Sequence, residues 1–389
     1  MNGSMRQYAG RVLAGLAIAL GIAGHAASFY EIGALKRLDR WLYDARVTLG
    51  VTPGIDERIV IVDIDERSLA EIGRWPWRRD VIAALIDRLC DDYHAKVVGF
   101  DIVFAEPDGS SGLPVLDKLV GGPLKEHAEL KTALDGLRPE LDHDARLARA
   151  LAERPIVLGY YLSSGYQSGS SGSIGRPALT AAAFEGRQVA FSTWAGFGGN
   201  LELFQKVAGA AGHFNVIPDE DGITRRVPLL AEYRGDFYEA LSLAMVRRLL
   251  GTPPLRLGLT GGVLGGPGDA LEWLGVGRLR IPIDENAAAL VPYRGPGGSF
   301  SHVSATDIYN GRVDAAVLRE RIVLVGTSAP GLYDLRATPV ANVYPGVEAH
   351  ANLIAGMLDE SLKSRPAWLE GSETLAVVLL GLALAILLP

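Results

Sequence analysis

The chain has 389 residues, 48% hydrophobic and 21% charged, which suffices for a sizeable core and is too apolar for a disordered chain. Its net charge of −7 and the lack of any long Lys/Arg run leave no cationic surface for phosphate backbones, which argues against nucleic acid as a partner. The single cysteine, Cys90, excludes an intramolecular disulfide and a Cys-rich metal site; at helical spacing with Ile82, Leu85, Ile86 and Leu89 it reads as a buried core thiol, with an intermolecular disulfide as the alternative.

Arg6 and Arg11 precede residues 12–30, which hold no charged side chain and are long enough for a membrane helix. A cleaved signal peptide is the other reading, with Ala26, Ala27 and Ser28 as a cleavage site. Small residues four apart, Gly15 with Ala19 and Ala17 with Gly21, would let such helices approach closely, although Gly and Ala are abundant throughout. The positive flank places residues 1–11 in the cytoplasm and the bulk of the chain outside it. Residues 31–52 form an amphipathic stalk helix, with Ile32, Leu35, Leu38, Leu42 and Val47 near one face.

Residues 58–66 (RIVIVDIDE) and 95–104 (AKVVGFDIVF) read as strands buried on both faces, with a helix over 80–93 between them. That is a βαβ unit, hence parallel pairing. It repeats through a Gly-, Ser- and Pro-rich loop (106–124), a helix over 144–153 and a strand over 155–162. Residues 163–175 should be a mobile surface loop. In the middle, two short strands flank PDEDG (218–222) as a tight hairpin ahead of a helix from about 239, and LRIPID and ALVPYRG suggest a further antiparallel pair. Alternation then returns, with a helix near 315–320, a strand over 321–329 and a helix over 346–359. Residues 369–389 form a second apolar helix that stops at the chain end, as in a protein cut from a longer parent. The expected fold is α/β: a mixed, largely parallel sheet with flanking helices and an inserted antiparallel portion, bracketed by membrane helices.

Asp63 and Asp65 alternate onto one side near the end of their strand, and Asp101 holds the comparable place on the next. Ligands of open α/β sheets sit at that edge, and with Glu106 and Asp108 these carboxylates suit Mg²⁺ or Ca²⁺. The competing and favoured reading is that each caps a helix or orders a loop. The strand-end D-x-D resembles the aspartate pair of haloacid-dehalogenase-type phosphatases, which leaves a metal-dependent phosphoesterase using Asp63, Asp65 and Asp101 as a rival. PDEDG lacks the bidentate Glu of a calcium loop, since position 228 is Pro. The loop 325–331 (VGTSAPG) offers an anion cradle or a plain turn. Trp75 and Trp77 in GRWPWRRD line a ligand pocket or pack the loop onto the sheet.

RWLYDARVTL (40–49), IVIVDIDERSLAEIGRWPWRRDVIAALIDRL (59–89), AKVVGFDIVFAEPD (95–108), GHFNVIPDEDGITRRVPLL (212–230), IVLVGTSAPGLYDLRATPV (322–340) and YPGVEAHANLI (344–354) together resemble the type-two CHASE domain, an extracellular sensory module associated with cyclases and kinases. The match runs in order over about 37–368. The resemblance implies a receptor whose sensory domain, here residues 53–368, feeds a cytoplasmic output domain absent from this chain. An adenylate/guanylate cyclase is the leading expectation, then a histidine or Ser/Thr kinase, so that this chain is itself no enzyme. It also implies a homodimer. Asp63, Asp65, Asp101, Asp334 and His350 recur in it, as ligand-binding or as fold-maintaining residues. The ligand stays unnamed, and a protein-binding envelope scaffold is a further alternative.

Overall fold

The computed structural model describes residues 3–387 apart from 28, 52–53, 166–168, 187–188, 190, 261–269, 330–334 and 365–366. The chain divides into two compact units, Met1–Gly50 with Ser364–Pro389, and Val51–Lys363.

The first unit is helical: α1 (Gly3–Ala26), α2 (Gly33–Leu49) and the last helix of the chain, over Ala367–Leu387. The first and last helices pack through small residues. A Cβ placed on Gly381 would lie 2.4 Å from Ala19 Cβ, and one on Gly15 3.1 Å from Ala385 Cβ. The small residues of α1 thus bring a neighbouring helix close. Among the described residues no helix is long and apolar enough to cross a membrane, so the expected bracketing by membrane helices has no support in the structure.

In the second unit the chain runs β1 (Asp56–Ile64), α3 (Glu66–Ile72), α4 (Arg79–Asp87), β2 (Val97–Phe100), α5 (Leu113–Gly121), α6 (Ala128–Leu141), α7 (His143–Leu151), β3 (Ile156–Ser163), α8 (Glu202–Val207), β4 (Ala210–His213), α9 (Leu241–Leu249), β5 (Phe300–Ser304), α10 (Ala305–Tyr309), β6 (Ile322–Thr327) and α11 (Gly346–Leu358). The six strands pair in parallel in the order β5-β1-β6-β2-β3-β4. They read as near-continuous apolar runs because helices cover both faces. Val60, Val62 and Ile64 of β1, with Val98, Phe100, Leu158, Val323 and Val325, meet α4, α7, α8 and α10 through Ile82, Ile86, Leu147, Leu151, Phe204 and Ile308. Cys90 packs half-buried against this layer, and burial raises its thiol to about 11. On the opposite face lie α9 and α11, seated where the strands carry glycine: a Cβ on Gly99 would fall 2.2 Å from Met245 Sδ, and one on Gly326 2.8 Å from Val347 Cβ.

The mixed α/β sheet and the inserted antiparallel portion are both present. The latter comprises Leu230–Tyr233 with Asp236–Glu239, and Leu255–Thr260 with Ala270–Val276 and Leu279–Pro282. Its pairing differs from the sequence expectation. The strands flanking PDEDG do not form a hairpin: β4 joins β3, and Arg226–Pro228 pairs with Ala288–Leu290. The PDEDG loop is closed instead by Arg225, whose guanidinium donates to Asp219 (2.7 Å) and Asp221 (2.8 Å), so its acidity serves an ion-paired turn. The true hairpin turns at Arg234 and Gly235, both at positive φ (55° and 83°), the backbone a two-residue turn requires. Residues 106–124, expected as loop, hold α5, which starts behind Gly112 with Pro at its first turn.

Candidate functional site

The position of β6 between β1 and β2 creates the site. The chain leaves β2 toward α7 on one face of the sheet and leaves β6 toward α11 on the other, so the two connections part at the C-terminal edge and leave a crevice, the topological switch point of an open α/β sheet. A cleft of about 460 Å³ occupies it. Thr327 ends β6 there, Asp101 directly follows β2, and residues 102–106 form one wall. Trp75 and Pro76 approach from the segment before α4, and Arg79 from its first position; Phe214, Arg336, Gly346 and Val347 close the opposite side. The lining is mixed, with aromatic rings at 75, 104 and 214 and both signs of charge in Arg79, Arg336, Asp101 and Glu106.

Arg79 holds the outer wall. Its guanidinium lies 4.9 Å from the Phe104 ring centroid and donates to the Glu106 carbonyl at 3.0 Å, while its backbone N–H donates to Asp108 Oδ2 at 2.8 Å. Burial lowers its pKa from the ordinary value. Burial opposes charge on Asp108 too, yet hydrogen bonds from Ser110, the Arg79 backbone and His143 hold its carboxyl at about 2. Asn200, fully buried, completes the frame: its Oδ1 accepts from Phe104 N–H (2.8 Å) and its Nδ2 donates to the Gly159 carbonyl (2.9 Å).

Of the residues expected to form a site, Asp101, Glu106 and Trp75 line this cleft together. Trp77 does not; it is buried beneath Trp75, with ring centroids 5.5 Å apart, and donates Nε1–H to the Gly73 carbonyl at 2.8 Å. Asp65 caps α3, accepting from Ser68 N–H (2.7 Å) and Ser304 Oγ (2.9 Å). Asp63 turns toward α11 and accepts from Ser328 Oγ, which commits the described part of the small-residue loop to a hydroxyl–carboxylate bond. His350 is buried behind the cleft wall. Asp334, like the end of the loop 325–331, lies outside the described residues. The strand-end aspartates therefore do not converge, and among the described residues no group of three or more His, Cys, Asp or Glu is placed to hold a metal ion.

A cluster unforeseen in the sequence stands beside Asp63. His302 on β5 lies between two carboxylates, 3.7 Å from Asp63 Oδ2 through Nδ1 and 3.2 Å from Glu348 Oε1 through Nε2. Glu348 on α11 is 2% exposed and also accepts from Gly298 N–H at 3.1 Å. Burial disfavours charge on His302, but the two carboxylates prevail and raise it to about 9, so an imidazolium ties the edge strand β5 to β1 and α11. Asn352, also buried on α11, accepts from Arg294 N–H (2.9 Å) and donates to the Tyr344 hydroxyl (2.7 Å).

A family model described as the CHASE2 domain matches residues 14–387 of the chain. No curated protein and no solved structure matches it.

Proposed function

The chain belongs to the CHASE2 domain family, the extracellular sensory domains of membrane receptors, and from that premise we propose that it senses a ligand in the switch-point cleft and passes the signal through α11 to the bilayer and an output domain beyond it. The cleft is the observation that carries this reading: it joins both connections of the sheet and includes the first turn of α11 in its wall. A small molecule there touches Trp75 and residues 101–106 on one side, and Arg336, Gly346 and Val347 on the other. A ligand that prefers one spacing of these walls shifts the population toward it.

The chain path supports α11 as the conveyor. Asp359, the residue just past its C-terminus, is gripped by Arg58 at 2.7 and 2.9 Å, and residues 359–366 alone separate α11 from the helix over Ala367–Leu387 in the sequence. Membrane anchorage through residues 12–30 and 369–389 draws on their freedom from charge beyond Glu373 and on the small-residue packing of Gly15, Ala19, Gly381 and Ala385. The output domain in this reading is a nucleotide cyclase, or failing that a histidine or Ser/Thr kinase, operating in a homodimer with the sensory domain in the periplasm.

Thermal unfolding of the full chain against a panel of small metabolites tests the cleft. A ligand at about 100 times its Kd stabilises the fold by about 2.7 kcal/mol, a shift of a few degrees in midpoint. That shift should vanish in Trp75→Ala and Arg336→Gln. Stabilising ligands whose effect survives both substitutions would place the sensory site elsewhere.

A further inference from the structure

Behind the Phe214 and Arg336 side of the cleft sit two fully enclosed imidazoles, His213 at the end of β4 and His350 on α11. Both ring nitrogens of His213 and Nδ1 of His350 are buried with no hydrogen-bond partner among the described residues; the remaining nitrogen of His350 faces the Phe214 backbone. Buried polar atoms are nearly always paired, so three such nitrogens at one junction call for a role. The charged and titratable groups around them are few. His350 feels Arg336, and His213 feels His350 and lies edge-on to the Tyr160 ring, with centroids 6.4 Å apart. Glu239, near Tyr160, is engaged by Arg247 at 2.7 Å. Among the described residues that face the two rings, no carboxylate is placed to neutralise a proton arriving on either one.

We propose that protons are a stimulus of this domain: acidification charges His213 and His350, and the resulting repulsion between them and Arg336 opens the β4–α11 junction that walls the cleft. The inference rests on the sensory reading and names a signal for it. In the packed junction burial holds His213 down to about 3, with His350 adding to the effect, and burial with Arg336 holds His350 down to about 4. A ring held below the free value of 6.5 takes its proton only when the junction opens. Stability is therefore full above that value and falls as the pH drops toward the packed-state values, each ring favouring the open state by about 30-fold at pH 5. Since α11 is the last helix of its unit in chain order, the opening acts on the element that leads out of the domain.

The test is hydrogen–deuterium exchange and thermal unfolding of the full chain from about pH 7.5 to about pH 5. The expected result is a falling midpoint with faster exchange confined to residues 210–214 and α11, and a loss reduced by about half in His350→Gln. An acid loss of equal size in that variant, or no acid loss in the unsubstituted chain, overturns the proposal. Should His350→Gln fail to fold at neutral pH, His213→Gln and the histidine ring resonances of the unsubstituted chain decide instead. Two rings that stay neutral until exchange accelerates support the proposal, and rings that titrate near 6.5 in the packed fold overturn it. A topology reporter placing the domain inside the cell would remove the sensory reading yet leave the acid opening intact, so the two ideas fail separately.

Discussion

Replacing Asn200 by alanine should destabilise the sensory unit by about 2–6 kcal/mol, read as a lower urea midpoint, and should free the cleft wall at the same time. Its side chain is the partner of two main-chain groups inside the protein, the Phe104 N–H and the Gly159 carbonyl. Truncation leaves both without water and without a partner, at about 1–3 kcal/mol each. The consequence reaches the site because Phe104 lines the cleft and carries the Arg79 guanidinium on its ring. Exchange of the backbone over residues 101–106 should rise in Asn200→Ala more than elsewhere in the sheet. A cost below about 0.5 kcal/mol, the size of an ordinary surface change, would mean that the wall is held by other contacts.

His302→Gln should cost about 2–3 kcal/mol near neutral pH. Removing the central cation leaves Asp63 and the enclosed Glu348 carboxylate facing each other, and breaking a buried ion pair from one side is costly. The figure is held below the buried-pair range because His302 retains 30% exposure and is partly screened. The pH dependence has a definite sign. The folded-state value of His302 lies above its free value of 6.5, so its stabilisation is complete below 6.5 and disappears as the pH rises through about 9. The unsubstituted chain should therefore lose stability over that interval, and His302→Gln should be flat across it. Matching alkaline slopes in the two chains would show that the imidazole carries no charge at neutral pH. Together with the acid loss expected from His213 and His350, this places maximum stability near the free histidine value.

How much of this was legible in the sequence depends on whether the cause was local. The central strands were, because residues 59–62, 97–100, 156–158 and 322–325 are buried on both faces and show as unbroken apolar runs. Pairing in the antiparallel portion was not: PDEDG carries every local mark of a hairpin, yet Arg225 draws its carboxylates inward and the flanking strands find other partners. Helix α5 was hidden because Pro114 and the glycines on either side of it outweighed the spacing of Leu113, Leu116 and Leu119.

The cleft was half visible. Asp101, Glu106 and Trp75 follow from strand ends and the loops beyond them, whereas Phe214, Arg336 and Val347 arrive from far along the chain, through the insertion of β6 between β1 and β2. Asp63 and Asp65 share the parity of one sheet face, but the strand stops at Ile64 and hands Asp65 to the start of α3, which separates the two carboxylates. One overlooked signal was present in GVEAHANLIAGML. A helix buried over nearly its whole surface that nonetheless contains Glu348, His350 and Asn352 must find internal partners for them, and those residues lead directly to His302, Tyr344 and the junction with β4.

Sensing of an outside ligand requires Val51–Lys363 to lie outside the cytoplasm. Joining alkaline phosphatase, or separately a fluorescent protein that matures only in the cytoplasm, after Lys363 in cells making the chain reads this directly. Active phosphatase with a dark fluorophore is the predicted outcome, and a bright fluorophore with inactive phosphatase would contradict the account at its base.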